Sequence, residues 1–179
     1  MDTQKLILDR LTTVLSETDK SNAAKLKSLV DGAGRIFVGG AGRSGLVSRF
    51  FAMRLVHSGY QVNMVGEVVT PALQDGDLLV IISGSGGTKT LMPILETAKS
   101  KGGKIAIISQ KTSSAMADLA DLVVQIGNDD SYSTYTEGMP MGTVFELSTL
   151  VYLEAVIAEI YFDKGLTEDG MRAIHANLE

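Results

Sequence analysis

Two short apolar runs in this chain end in glycine-rich turns of one design, and each turn opens onto a helical pattern. Val38-Gly39-Gly40-Ala41-Gly42-Arg43-Ser44 can be laid over Ile82-Ser83-Gly84-Ser85-Gly86-Gly87-Thr88. A short continuous apolar run, closed by glycine and followed by a helix, is what a strand buried on both faces requires. The alternation recurs along the chain. Strands are expected at 36–38, 62–65, 78–82, 105–108 and 122–126, with helices at 43–57 and 88–101 and a short one near 114–119. Five strands separated by crossover-length segments predict an α/β three-layer sandwich around a parallel sheet, in the flavodoxin-like order 2-1-3-4-5.

The flanks fit the same plan. Ile7, Leu11, Val14 and Leu15, then Leu26, Leu29 and Val30, recur at helical spacing, so residues 1–31 read as one or two amphipathic helices ending at Gly32 and Gly34. After Gly127 the segment 128–138 is polar and acidic. A long helix is expected over 143–164, stopped by Gly165, and a last short one over 167–175. With 179 residues and 45% apolar content, the chain suits one domain with a substantial core.

Composition narrows the chemistry. A net charge of -5 argues against general nucleic-acid binding. The absence of cysteine removes thiolate metal sites and a thiol nucleophile, and two histidines, His57 and His175, do not make a zinc spacing. No metal or other cofactor is expected. Residues 1–10 lack an apolar signal core, and the apolar stretch 144–162 is interrupted by Glu146, Glu154 and Glu159, so no membrane span and a cytoplasmic location are expected.

The glycine turns carry the functional signal. Glycine lets backbone N–H groups approach an anion closely, and a helix N-terminus adds about half a positive charge. Gly42, Arg43 and Ser44 in the first turn, with Ser83, Gly84, Ser85, Gly86 and Thr88 in the second, are the expected phosphate-binding set. One such turn could be a plain connector; two matched turns with added hydroxyls favour a ligand. Gly40 to Gly45 also fits the G-x-G-x-x-G dinucleotide pattern. Against that reading, the acid that should meet a ribose is Glu67, a few residues late. The second turn lacks the glycine that precedes lysine in a nucleoside-triphosphate loop.

Taken together, G-A-G-R-S-G at 40–45, F-A-M-R-L at 51–55, V-G-E-V-V-T-P-A at 65–72, S-G-S-G-G-T at 83–88, M-G-T-V-F-E-L at 141–147 and H-A-N-L-E at 175–179 resemble the sugar isomerase (SIS) domain, and within it the 6-phospho-3-hexuloisomerases. The resemblance implies isomerisation of D-arabino-hex-3-ulose 6-phosphate to fructose 6-phosphate in the ribulose monophosphate route of formaldehyde fixation, without a cofactor. Where the SIS domain commonly has glutamate in the second turn, this chain has Gly87. The resemblance also implies Glu146 as the base, His175 as a proton-moving partner reaching a neighbouring subunit's site, and a homotetramer. Without it, Glu146 reads rather as an acid favouring a helix N-terminus, and His175 as a solvated terminal residue. Arg43 is either a substrate contact or half of a surface ion pair; Glu67 and Thr70 are weaker pocket candidates, and His57 is a helix-end residue. Asp129 and Asp130 read as a solvated loop. The other functions compatible with these motifs are another SIS isomerase, such as an arabinose 5-phosphate isomerase, and a non-catalytic sugar-phosphate sensor.

Overall fold

The computed structural model of the chain describes residues 2–128 and 139–177; the acidic stretch containing Asp129 and Asp130, and the last two residues of the histidine tail, lie outside them. Five strands form one parallel sheet: β1 (Ile36–Gly40), β2 (Val62–Met64), β3 (Leu78–Ile82), β4 (Lys104–Ser109) and β5 (Leu122–Gln125). Their order is β2-β1-β3-β4-β5, as the alternation predicts, with Val38 paired to both Met64 and Val80. Chain direction reverses its lateral progress between β1 and β3, which makes the carboxyl ends of those two strands the topological switch point.

Strand residues alternate between two cores. Ile36, Val38, Leu78, Val80, Ile82, Ala106 and Ile108 face α1 (Thr3–Glu17), α2 (Ser21–Gly32), α3 (Gly42–His57) and α5 (Thr143–Asp163). Phe37, Leu79, Ile81, Ile105 and Ile107 face α4 (Met92–Ser100) and Met116, which precedes a 3-10 turn (Ala117–Leu119). Period-two alternation in a strand buried on both sides explains why all five residues of β3 are buried and apolar. A final helix, α6 (Glu168–Ala173), follows α5, its first turn capped by the Thr167 hydroxyl on the Gly170 N–H.

Three local outcomes differ from the expectation or sharpen it. The N-terminal segment is two helices, broken where Asp19 accepts both the N–H and the hydroxyl of Ser21. The helix expected from Thr88 begins only at Met92. Pro93 is the reason: it sits in the first turn of α4, where its missing N–H costs nothing, whereas a helix begun at Thr88 would place it in the interior. On α5, Val144, Leu153, Ile157 and Ile160 are buried, while Val151 stays exposed. α5 packs against α1, α2 and α3.

A partly buried ion pair ties the amino ends of β1 and β3. Arg35 donates through Nε and Nη2 to Asp77, at 3.2 and 2.6 Å, and the Gln74 N–H donates to the same carboxylate at 2.8 Å. Burial alone would push the Asp77 carboxyl up, but these donors outweigh it and hold it below the ordinary carboxylate value. A group whose carboxyl is depressed in the folded state adds stability above its unfolded pKa of about 3.9, and that stability is lost as pH falls further. Asp77→Ala should therefore lower stability by about 2–4 kcal/mol at neutral pH, since it strands a partly buried guanidinium. In urea titrations the difference from the parent should shrink below about pH 4; an undiminished difference at pH 3 would assign the loss to packing instead.

Candidate active site

At the switch point a cleft of about 540 Å³ opens between the carboxyl ends of the strands and the start of α5. Its first wall is the β1 turn. α3 starts at Gly42, directly after the strand, so the first-turn N–H groups and Ser44 face the cleft from a helix N-terminus. This tight start depends on the missing side chains of Gly40 and Gly45. A Cβ on Gly45 would lie 2.9 Å from the Gly40 carbonyl oxygen, and one on Gly40 would lie 3.0 Å from the Gly45 nitrogen.

The second wall is the β3 turn, and it works differently from the first. Because α4 starts four residues beyond Thr88, its N-terminus is not part of the turn. Instead the chain folds back: the Gly86 N–H donates to the Ser83 carbonyl at 3.1 Å, and the Ser83 and Thr88 hydroxyls lie 3.1 Å apart. Ser83, Gly84, Ser85 and Thr88 line the cleft. Two walls of donors meet without a helix dipole on the second side.

The third wall is the beginning of α5. Glu146 is 9% exposed and lines the cleft beside Phe145. Its Oε2 accepts from Nε of Arg43, so the ion pair joins the first turn of α3 to the first turn of α5 across 103 residues of sequence. Gly142, at φ +84° before α5, makes room for the carboxylate: a Cβ there would stand 2.9 Å from Oε1. A side chain would both strain this backbone and displace the acid.

Thus Ser44, Ser83, Gly84, Ser85, Thr88 and Glu146 converge on one cleft. Arg43 belongs to it through Glu146, so of its two expected uses the structure shows an ion pair, one made with the acid in the cleft. His175 does not converge within the chain. It lies past α6 and stacks on His57 at 5.1 Å between ring centres, at the far end of α3 from Gly42. Fifteen helical rises place that end roughly 22 Å away. Glu67 and Thr70 are also elsewhere: Glu67 accepts from Arg49 at 2.6 Å, and Thr70 lines a separate groove with Phe37 and Leu79.

Gln110, Lys111 and Asn128 also line the cleft and were not among the sequence candidates. Gln110 and Lys111 follow β4 directly and Asn128 lies three residues past β5, so applying the carboxyl-end rule to those strands as well as to the glycine turns finds them. Among the described residues no three His, Cys, Asp or Glu side chains gather where they could hold a metal ion. Nor is any described helix long and apolar enough to cross a membrane.

Comparison with known proteins places this geometry. The SIS domain model matches residues 29–156, which hold the sheet, both glycine turns and most of α5. The chain belongs to the SIS family. Among its relatives, the 3-hexulose-6-phosphate isomerase of Methylomonas aminofaciens is 63% identical over 177 residues, 98% of each chain. That of Bacillus subtilis is 39% identical over 97% of this chain and 95% of its own. A crystal structure from Methanococcus jannaschii, for which a 3-hexulose-6-phosphate isomerase function was inferred, superposes with a TM-score of 0.87 at 33% identity, covering all of both chains. For this SIS member, then, the sheet order, the family match and the full-length relatives agree.

Proposed function

We propose that this SIS-family chain isomerises D-arabino-hex-3-ulose 6-phosphate to D-fructose 6-phosphate. The observation that carries the chemistry is the nearly buried Glu146 carboxylate, which opens into the same cleft as four hydroxyl side chains on two anion-binding turns. Relatives named for this activity, matched over nearly full length, support the choice of substrate.

In this reading the phosphate sits on the hydroxyls of Ser44, Ser83, Ser85 and Thr88, with Gly42, Gly84 and Gly86 shaping the turns and backbone N–H groups supplying further donors. The sugar then extends toward α5. With Oε2 held by Arg43, Oε1 of Glu146 takes the proton from the second carbon. The electrons of that C–H bond form the double bond between the second and third carbons, and the third-carbon carbonyl oxygen gains a proton to complete an enediol. The second-carbon hydroxyl then gives up its proton as a carbonyl forms there, and Glu146 returns its proton to the third carbon. No electrons leave the substrate. The step asks only for a positioned base and a proton path between two oxygens.

His175 serves that proton path from a neighbouring copy, because its own chain holds it far from Glu146. The exposed apolar residues Leu46, Phe50, Met53 and Val56, spaced along one side of α3 between the cleft and His57, support an assembly that covers this stripe. A homotetramer with sites shared between subunits, acting in the cytoplasm, completes the reading.

The test is direct. Purified protein is incubated with hex-3-ulose 6-phosphate, fructose 6-phosphate is followed by coupled oxidation, and the reaction is repeated in deuterated water. Turnover with solvent deuterium in the product is expected, because an enediol route passes the proton through Glu146. Absence of turnover would sink the isomerase reading, and turnover without any deuterium would replace the enediol with a hydride shift.

A further inference from the structure

The cleft contains a donor whose direction is set from outside it. The carbonyl of Gly84 accepts two hydrogen bonds from the end of β4, one from the Gln110 N–H at 3.1 Å and one from the Ser109 hydroxyl at 3.2 Å. Ser109 is fully buried, and its oxygen also accepts the Lys111 N–H at 3.1 Å. One hydroxyl therefore joins the β3 turn to the segment that leaves β4.

The consequence follows from peptide geometry. Among the described residues there is no cis peptide bond, so in the planar Gly84–Ser85 unit the N–H points opposite to the C=O. With the carbonyl drawn toward β4, the Ser85 N–H points away from β4. In this strand order that is toward β1, whose turn carries Ser44 and the start of α3. Among the described residues the Ser85 N–H has no hydrogen-bond partner. An unpaired backbone donor beside a polar cleft awaits a ligand or water.

The geometry points to Ser109 as a positioning residue for phosphate: its hydroxyl holds the Gly84–Ser85 peptide so that the Ser85 N–H faces the anion. The inference rests on the reading of this cleft as a phosphate site. It adds a residue that never touches the substrate and sits on a different strand from the turn it controls. A freely turning peptide would present its carbonyl to a dianion in part of its population, and fixing the plane removes that repulsive state before binding. Gln110 contributes the second bond through its backbone N–H, which only a proline there would remove, so Ser109 is the half of the lock that a side-chain change adjusts.

The test uses the full-length 15N-labelled protein titrated with inorganic phosphate, comparing the parent with Ser109→Ala and the nearly isosteric Ser109→Cys. Loss of one hydrogen bond of about 0.5–1.5 kcal/mol corresponds to roughly a 2- to 12-fold weaker phosphate Kd. KM for the sugar phosphate is expected to rise by the same factor. The Ser85 amide should shift on phosphate addition in the parent and shift less in Ser109→Ala. A packing role alone would lower thermal stability and leave that amide response intact. Equal phosphate affinity and an equal Ser85 shift in a folded variant would overturn the inference; if Ser109→Ala does not fold, Ser109→Cys decides by the same two readouts. A parent that neither binds phosphate nor turns over the sugar phosphate would overturn the reading of the cleft itself, and the Ser109 inference with it.

Discussion

Glu146→Gln is expected to lower kcat by about 10²–10⁴-fold, the range typical of losing a general base, with KM changed far less. The amide keeps the shape of the carboxylate and fits the space left by Gly142, but it cannot take up the substrate's proton. Its folded structure should persist. The Arg43–Glu146 pair has one partner more than half exposed, so replacing the charge costs little stability. Glu146→Asp should fall between the two, because one missing methylene draws the oxygens away from both Arg43 and the reacting carbon. Steady-state kinetics together with thermal unfolding of the three proteins checks this. Full kcat in a folded Glu146→Gln protein would remove Glu146 as the base and move attention to the other polar groups of the cleft.

Removing two hydroxyls from the second turn should be nearly as damaging, but in a different parameter. Ser83→Ala combined with Thr88→Ala takes away two donors to a doubly charged group, each worth about 1.5–3 kcal/mol. A simple sum gives roughly 10²–10⁴ in kcat/KM. The effects should not add fully, because the two hydroxyls lie 3.1 Å apart and share one ligand. The expected loss for the pair is therefore about 10²–10³-fold, carried mostly by KM, since the phosphate is remote from the carbons that react. Competitive inhibition by inorganic phosphate should weaken in parallel. An unchanged kcat/KM would place the phosphate elsewhere in the cleft, and a loss carried only by kcat would put these hydroxyls at the reacting end.

These two variants mark the difference between what lies in neighbouring residues and what lies in the folded chain. Ser83 and Thr88 are legible because a strand, a glycine turn and its hydroxyls follow each other within a few positions, and each is set by local chemistry. Glu146 was a weaker sequence signal. Next to Phe145 and Leu147 on an apolar helix, an acid is as readily explained by the helix N-terminus, and only its resemblance to a family motif favoured a catalytic role. The structure adds two contacts that no neighbouring residues reveal, a guanidinium 103 residues away and a glycine whose missing side chain leaves room for the carboxylate.

The partial misreadings have the same cause. The two glycine turns look alike on the page, yet one leads straight into a helix and the other does not, because Pro93 holds the start of α4 four residues beyond Thr88. Nothing within the turn itself reveals this. Gln110, Lys111 and Asn128 carry no motif and enter the cleft because sheet order sets the ends of β4 and β5 beside β3. His175 ends a recognisable tail, but its distance from Glu146 within one chain depends on the length and direction of α3.

The amino-acid sequence alone determined the layered architecture, the sheet order and the presence of two glycine turns at strand ends. Apolar periodicity and glycine placement act through bonds between near neighbours, so they survive being read one residue at a time. Tertiary structure alone decided which acid meets which base, where each turn's donors point and which residues share a cleft. Those depend on strands and helices far apart in sequence being packed side by side, and a hydrogen bond such as that from Ser109 to Gly84 exists only once β3 and β4 have paired.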